Sequence, residues 1–244
     1  VIGLPAHIQA CLFDLDGVLT STTRLHIGAW KQTFDEFLRK RAEDSGDDFY
    51  PFDPDSDYTS YVDGRPRADG VRSFLHNRGI ELPEGDPGDA PGMGTVNALG
   101  NLKNTLVVSH MESDGVDERP GARAYLEAAA AAGLRRVVVS SSANAETALR
   151  LTGLDRFIEA RVDGVVVREL GLPGKPDPAG FLYGARLIGV EPSAAAVFED
   201  AVAGVQAAHA GAFGYVVGID TSDQADALRA AGADIVVADL GALL

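Results

Sequence analysis

Short apolar runs rich in Val, Ile and Ala alternate with helical patterns along much of the chain, and this alternation limits the fold more than any other feature of the sequence. The runs occupy residues 8–13, 137–139, 195–198, 215–219 and 235–237, with a less regular one across 158–167. Each is bounded by turn residues and is continuously apolar, which suits a strand buried on both faces. Between them lie patterns with recognisable helix ends: 121–132 stopped by Gly133, 144–152 by Gly153, 177–188 by Gly189, 201–210 by Gly211 and 222–231 by Gly232. Asp177 followed by Pro178 matches an N-cap with proline at the first helical position, and a glycine past the far end matches a left-handed cap. Strand and helix in rotation predict an α/β fold with a doubly wound, mostly parallel sheet.

Residues 21–115 break the rotation. They contain one clear amphipathic helix over 25–41, with Ile27, Trp30, Phe34, Phe37 and Leu38 at helical spacing. The spacing makes Trp30 a core anchor of this helix. The stretch reads as a separate α-helical insertion, so that residues 1–20 and 116–244 form one domain and 21–115 another. Two polar segments within it, 43–57 and 84–94, are rich in Asp, Gly and Pro and are expected to be long solvated loops.

The 244 residues are enough for a sizeable core plus an inserted module. They carry 21 Lys and Arg against 36 Asp and Glu, a formal net charge of −15. That balance argues against nucleic acid as a partner, because phosphate neutralisation needs clustered cations and here they are scattered. An anionic substrate would need a local basic or metal-bearing site. The single cysteine, Cys11, lies in an apolar run and is expected in the core; one thiol points to a reducing compartment. No window approaches the roughly 20 apolar residues of a membrane span, so no membrane partner is expected and a cytoplasmic location is.

The chemistry-bearing residues follow the apolar runs. The first run leads into Asp14-Leu15-Asp16-Gly17, and the run at 195–198 into Glu199-Asp200. In an open parallel sheet, ligands bind beyond the carboxyl ends of the strands. Two acids flanking one Leu repel unless a cation sits between them. If the two strands are neighbours, Asp14 and Asp200 converge on one rim, which suits Mg²⁺, a hard cation held by a few carboxylates and phosphate oxygens. The run at 137–139 leads into Ser140-Ser141-Ser142-Ala143-Asn144 at a helix start, an anion site in kind, although such serines also serve as simple caps. Lys175 sits between turn formers, where a lone lysine is usually solvated. It is the combination of acids, hydroxyls and lysine, each after a strand, that points to phosphate chemistry.

Taken in order, DLDGVLT, VVVSSS, GKPDP and FEDAVAG resemble the four motifs of the haloacid dehalogenase superfamily of phosphotransferases, across essentially the whole chain. The resemblance implies a Rossmann-like core, an inserted α-helical cap domain, an aspartyl-phosphate intermediate and Mg²⁺. It makes Asp14 the nucleophile and Asp16 the general acid and base, with Ser140, Ser141 and Lys175 on the transferring phosphoryl group. Asp14, Asp16 through its backbone carbonyl, and Asp200 would hold Mg²⁺, with Glu199 in support. Asp16 also argues against a true dehalogenase, which lacks that second acid.

Within the superfamily, Thr22, His26 and Trp30 at intervals of four resemble the start of the β-phosphoglucomutase-like cap, and Gly64-Arg65-Pro66-Arg67 and Lys103-Asn104 resemble its substrate-contacting segments. This implies Thr22 at the hinge, and His26, Trp30, Arg67, Lys103, Asn104, Ser142 and Asn144 contacting substrate. The expected partner is a small phosphorylated sugar: β-glucose 1-phosphate and glucose 6-phosphate interconverted through glucose 1,6-bisphosphate. The alternative is a sugar-phosphate phosphatase with the same first half-reaction. A receiver-like signalling module shares the Asp, hydroxyl and Lys but lacks an insertion of this length. The sequence departs from the mutase pattern at Asp63, where a lysine is usual, and at Ser21, where an acid is.

Overall fold

Six strands form one sheet: β1 (Ala10–Phe13), β2 (Arg135–Val139), β3 (Ala160–Val162), β4 (Ala195–Glu199), β5 (Tyr215–Ile219) and β6 (Ile235–Val237). Their order is β3-β2-β1-β4-β5-β6, and every pairing is parallel. This is the strand order of a Rossmann-like doubly wound sheet, whose switch point falls between β1 and β4. The computed structural model describes residues 2–244. It divides into two compact units, one made of the residues up to Thr22, Gly64–Pro66 and Val116–Leu244, the other of Thr23–Asp63 and Arg67–Gly115.

The central strands are the most apolar because both their faces are covered: every residue of β1 and β4 is buried, Cys11 included, whereas the edge strand β6 is only half-buried. Alternate side chains serve opposite faces. Leu12 joins Val137, Val139, Val197 and Phe181 in one core cluster, and Phe13 stacks on Phe198 with ring centroids 4.6 Å apart, edge-on to Tyr125. The flanking helices are α4 (Ala122–Ala131), α5 (Ala145–Thr152), α6 (Gly164–Glu169), α7 (Ala179–Leu187), α8 (Val202–Ala210) and α9 (Ala225–Ala231), numbered after the three of the helical unit.

Three local expectations need correction. The run at 158–167 is not one element: Asp163 ends β3 and caps α6, its carboxylate accepting from the N–H groups of Val165 and Val166 at 3.0 Å each, a stop signal that apolar periodicity hides. Gly211 is not a left-handed cap. The positive φ of +54° falls on Ala212, and Gly211 is needed because a Cβ there would lie 2.7 Å from the Phe213 ring. The third correction concerns the helical unit, formed by α1 (Thr23–Ser45), α2 (Arg67–Asn77) and α3 (Val96–Asp114).

In that unit the segment after α1 is anchored rather than solvated. Phe52 is buried, with its ring centroid 5.2 Å from Phe34 and 5.1 Å from Phe74. Its N–H donates to Asp35 at 2.8 Å, its carbonyl accepts from Lys31 at 2.9 Å, and Arg78 bonds the Pro51 carbonyl and the Asp57 carboxylate. Of the three aromatics among its acids, Phe49, Tyr50 and Phe52, only Phe52 is buried, a core contact that the composition of the segment conceals. The segment 84–94 remains largely exposed, though the Asn101 amide donates to the Asp89 carbonyl at 2.8 Å. Among the described residues, no helix is long and apolar enough to cross a membrane.

Candidate active site

The acids converge because β1 and β4 are hydrogen-bonded neighbours in register, Phe13 opposite Phe198. Asp14 follows β1 directly and its N–H donates to the Phe198 carbonyl at 2.9 Å. Glu199 ends β4 and Asp200 follows it. Asp14, Glu199 and Asp200 are all buried and offer carboxylate oxygens within 4.8 Å of one another. Lys175 Nζ reaches in from the loop before α7, donating to Asp14 Oδ1 and Glu199 Oε1 at 2.5 Å each and to the Val139 carbonyl at 3.2 Å. Lys175 is therefore a buried member of the site rather than a solvated loop residue.

Burial alone would draw the Lys175 ammonium pKa down, but the charges of Asp14 and Glu199 more than reverse this and raise it, so Lys175 is a fixed cation. Burial pushes the Glu199 carboxyl up; Lys175 counters part of that rise and the Asp14 charge adds to it. Glu199 also accepts from the Ala201 N–H at 3.1 Å. Gly204 gives it room, since a Cβ there would lie 1.8 Å from Glu199 Oε1.

Three carboxylates around one ammonium leave an excess of negative charge in a buried, oxygen-only setting, and that donor set fits a hard divalent cation such as Mg²⁺. The turn after β1 is shaped to the same end. Gly17 has φ of +89°, and a Cβ at that position would lie 1.8 Å from Asp200 Oδ2. Only glycine lets the turn come this close.

Asp16 stands apart from the carboxylate cluster, with its Oδ1 accepting from the buried Thr22 hydroxyl. Thr20 backs this contact, its hydroxyl 3.1 Å from that of Thr22. Thr22, expected at the hinge, bonds Asp16 instead of merely linking two segments of chain, a contact its spacing from the first motif did not indicate. At the end of β2, Ser140 is buried and its N–H donates to the Val162 carbonyl at 2.9 Å. The Ser140 hydroxyl accepts from the Ser142 N–H at 3.0 Å, and the Ser142 hydroxyl from the Asn144 N–H at 3.2 Å. Asn144 precedes α5 without capping it through its side chain. The Ser141 hydroxyl donates to the Gly64 carbonyl at 2.8 Å, so in this structure it is engaged with the backbone.

Within the helical unit, α1 and α3 bring together His26, Trp30 and Lys103. Lys103 Nζ lies 2.8 Å from His26 Nδ1 and 4.9 Å from the Trp30 ring centroid. Trp30 is buried and stacked on Phe34 at 4.9 Å, a core anchor that also supports the ammonium through its π face. Arg67 opens α2 and passes over Gly100, where a Cβ would lie 2.9 Å from Arg67 Cγ. Asn104 is the next residue after Lys103 on α3. Burial, and after it the Lys103 charge, holds the His26 imidazole well below its usual range. His26 is accordingly expected to titrate below the usual imidazole range, which histidine NMR shifts followed against pH would report beside an exposed histidine such as His110 as a reference. Its pKa is depressed on folding, so its protonation in the unfolded chain opposes folding as pH falls below about 6.5. Lys103→Met should move the His26 titration upward.

Sequence reasoning missed Gly17, Gly204, Thr221 and Gln224 as site residues. Gly17 lies inside the first motif and Gly204 closes the last, FEDAVAG, so both could have been read from the sequence; Thr221 and Gln224, which bond Asp200 from the loop after β5, carry no signal outside the folded chain.

A family model described as haloacid dehalogenase-like hydrolase matches residues 8–211. The chain is 55% identical to a β-phosphoglucomutase of Mycobacterium bovis, over 100% of this chain and 94% of that protein. It is 27% identical to a phosphorylated carbohydrates phosphatase of Thermotoga maritima, covering 94% of each. Among solved structures, a β-phosphoglucomutase from Clostridium difficile shares the fold with a TM-score of 0.73 and 24% identity, over 97% of this chain and 93% of that one.

Proposed function

The chain belongs to the haloacid dehalogenase-like hydrolase family, and from that premise we propose that it is a Mg²⁺-dependent phosphotransferase of the β-phosphoglucomutase type. The observation that carries this reading is the 55% identity over the full chain, with both Asp14 and Asp16 in place at the switch point of the sheet. The substrates are β-glucose 1-phosphate and glucose 6-phosphate, with glucose 1,6-bisphosphate as the intermediate.

In one half-reaction an Asp14 oxygen attacks a phosphorus of glucose 1,6-bisphosphate in line and the bond from that phosphorus to the sugar oxygen breaks, while Asp16 gives its proton to the departing oxygen and a glucose monophosphate is released. In the other half-reaction Asp16 takes the proton of the free hydroxyl of β-glucose 1-phosphate as that oxygen attacks the phosphoryl group on Asp14, the bond between phosphorus and Asp14 breaks, and glucose 1,6-bisphosphate forms again. Phosphoryl transfer needs its equatorial oxygens neutralised more than it needs covalent assistance, and Lys175 and the Ser140 hydroxyl are the donors for that. A Mg²⁺ ion held by Asp14, the Asp16 carbonyl and Asp200, with Glu199 in support, would supply further positive charge to the phosphoryl group. Thr22 holds Asp16 ready for its proton transfers. We assign His26, Arg67, Lys103 and Asn104 to the sugar and its distal phosphate, and Ser142 and Asn144 to the phosphate as well. In a chain this acidic, those cations are where an anionic substrate finds attraction.

The test follows β-glucose 1-phosphate with Mg²⁺ and a trace of glucose 1,6-bisphosphate by phosphorus NMR. Glucose 6-phosphate accumulating with little inorganic phosphate is the expected result. Inorganic phosphate released with free glucose would instead make the chain a phosphatase, the activity named for the Thermotoga maritima relative.

A further inference from the structure

Asp200 is held from two directions, and neither lies in the motif that contains it. Gly17 blocks one direction, because the turn after β1 passes too close to Asp200 Oδ2 for any side chain. The second hold comes from the loop between β5 and α9. Gln224 Nε2 donates to the Asp200 main-chain carbonyl at 2.8 Å, and the Thr221 hydroxyl donates to Asp200 Oδ2 at 3.4 Å.

This loop is built at some expense. Asp223 adopts φ of +59°, the left-handed region that non-glycine residues seldom enter. Asp220 braces it: its Oδ1 accepts from the Gln224 N–H at 2.9 Å, and its own N–H donates to the Val237 carbonyl at 2.8 Å. Gln224 occupies the N-cap position of α9, yet its side chain makes no bond to that helix. Helix starts favour Ser, Thr, Asp or Asn, whose short side chains satisfy the first N–H groups. Here a longer amide forgoes that role and spans to the end of β4. Strain that the surrounding structure sustains, together with a forgone cap, marks a loop shaped for what it touches.

The geometry points to Thr221 and Gln224 as positioning residues for the cation: they fix the Asp200 peptide and carboxylate so that Asp200 meets Mg²⁺ without first reorganising. Neither residue touches the cation or the substrate. Both act through Asp200, as outer partners of metal-binding carboxylates do, and loss of such partners lowers metal affinity about 10–100-fold. This inference rests on the Mg²⁺ reading above.

Calorimetric titration of the full chain with Mg²⁺ alone tests it without recourse to activity. Gln224→Ala is expected to raise the Mg²⁺ dissociation constant by about tenfold or more, and Thr221→Val by a smaller factor that Thr221→Ser restores. The melting temperature in Mg²⁺-free buffer should stay close to that of the parent chain, since a merely structural role would lower it and leave the affinity alone. Parent-like Mg²⁺ affinity in both Gln224→Ala and Thr221→Val would overturn the inference while leaving the cation site standing. If Gln224→Ala does not fold, the isosteric Thr221→Val decides the matter. Absence of Mg²⁺ binding by the parent chain would overturn both the inference and the Mg²⁺ reading.

Discussion

Asp14→Ala is expected to abolish phosphoryl transfer from every donor, lowering kcat by on the order of 10⁵ to 10⁶, the loss seen when a nucleophile that acts with its neighbours as a unit is removed. No neighbour can take over. Glu199 is engaged by Lys175 and the Ala201 N–H, and Asp16 is turned to Thr22. The variant should keep its fold, because Lys175 retains Glu199 as partner and the change removes a buried acid from a cluster with excess negative charge. Steady-state assay of a preparation free of the parent enzyme, with circular dichroism to verify folding, is the measurement. Activity within tenfold of the parent would take the nucleophile role from Asp14.

Lys175→Met should affect both stability and rate. Lys175 is 7% exposed and holds Asp14 and Glu199 together. Removing one member of a buried ion pair leaves its partners uncompensated and costs about 3–5 kcal/mol. Urea unfolding in the presence of a chelator should show that loss. Saturating Mg²⁺ should recover part of it, since a cation that binds only the folded carboxylates stabilises by mass action. The rate should fall by about 10²–10³ even with Mg²⁺ saturating, the usual effect of losing one preorganised donor to a developing anion. Unaltered stability in chelator would mean that Lys175 does not compensate these acids.

Much of this was legible in the sequence for a physical reason. A strand covered on both faces must be apolar throughout, so β1, β4 and β5 show as runs, and in a parallel sheet the residues after such runs share one rim. Asp14, Glu199 and Asp200 could therefore be placed on one rim before any coordinates, whereas the placing of Ser140 and Lys175 beside them rests on the motifs that resemble those of the family. What escaped depends on contacts distant in sequence. Phe52 shares an acidic segment with the exposed Phe49 and Tyr50, and only the packed rings of Phe34 and Phe74 show why it is the buried one. Asp163 sits within an apolar stretch, and its capping of α6 appears only once β3 ends there. Thr221 and Gln224 are ordinary polar loop residues until β5 is laid beside β4. Ser141 reads as one more hydroxyl of an anion site until Gly64, 77 positions away, is found accepting from it.

The central claim is that phosphorus passes through Asp14, and it is tested most directly by acid-quenching the enzyme after brief exposure to Mg²⁺ and glucose 1,6-bisphosphate, then digesting it and locating the label by mass spectrometry. The account predicts one added phosphoryl group on the peptide containing Asp14, labile to hydroxylamine as an acyl phosphate is, and absent from Asp14→Ala. A phosphoryl group on any other residue, or turnover with no phosphoenzyme at any quench time, would contradict it.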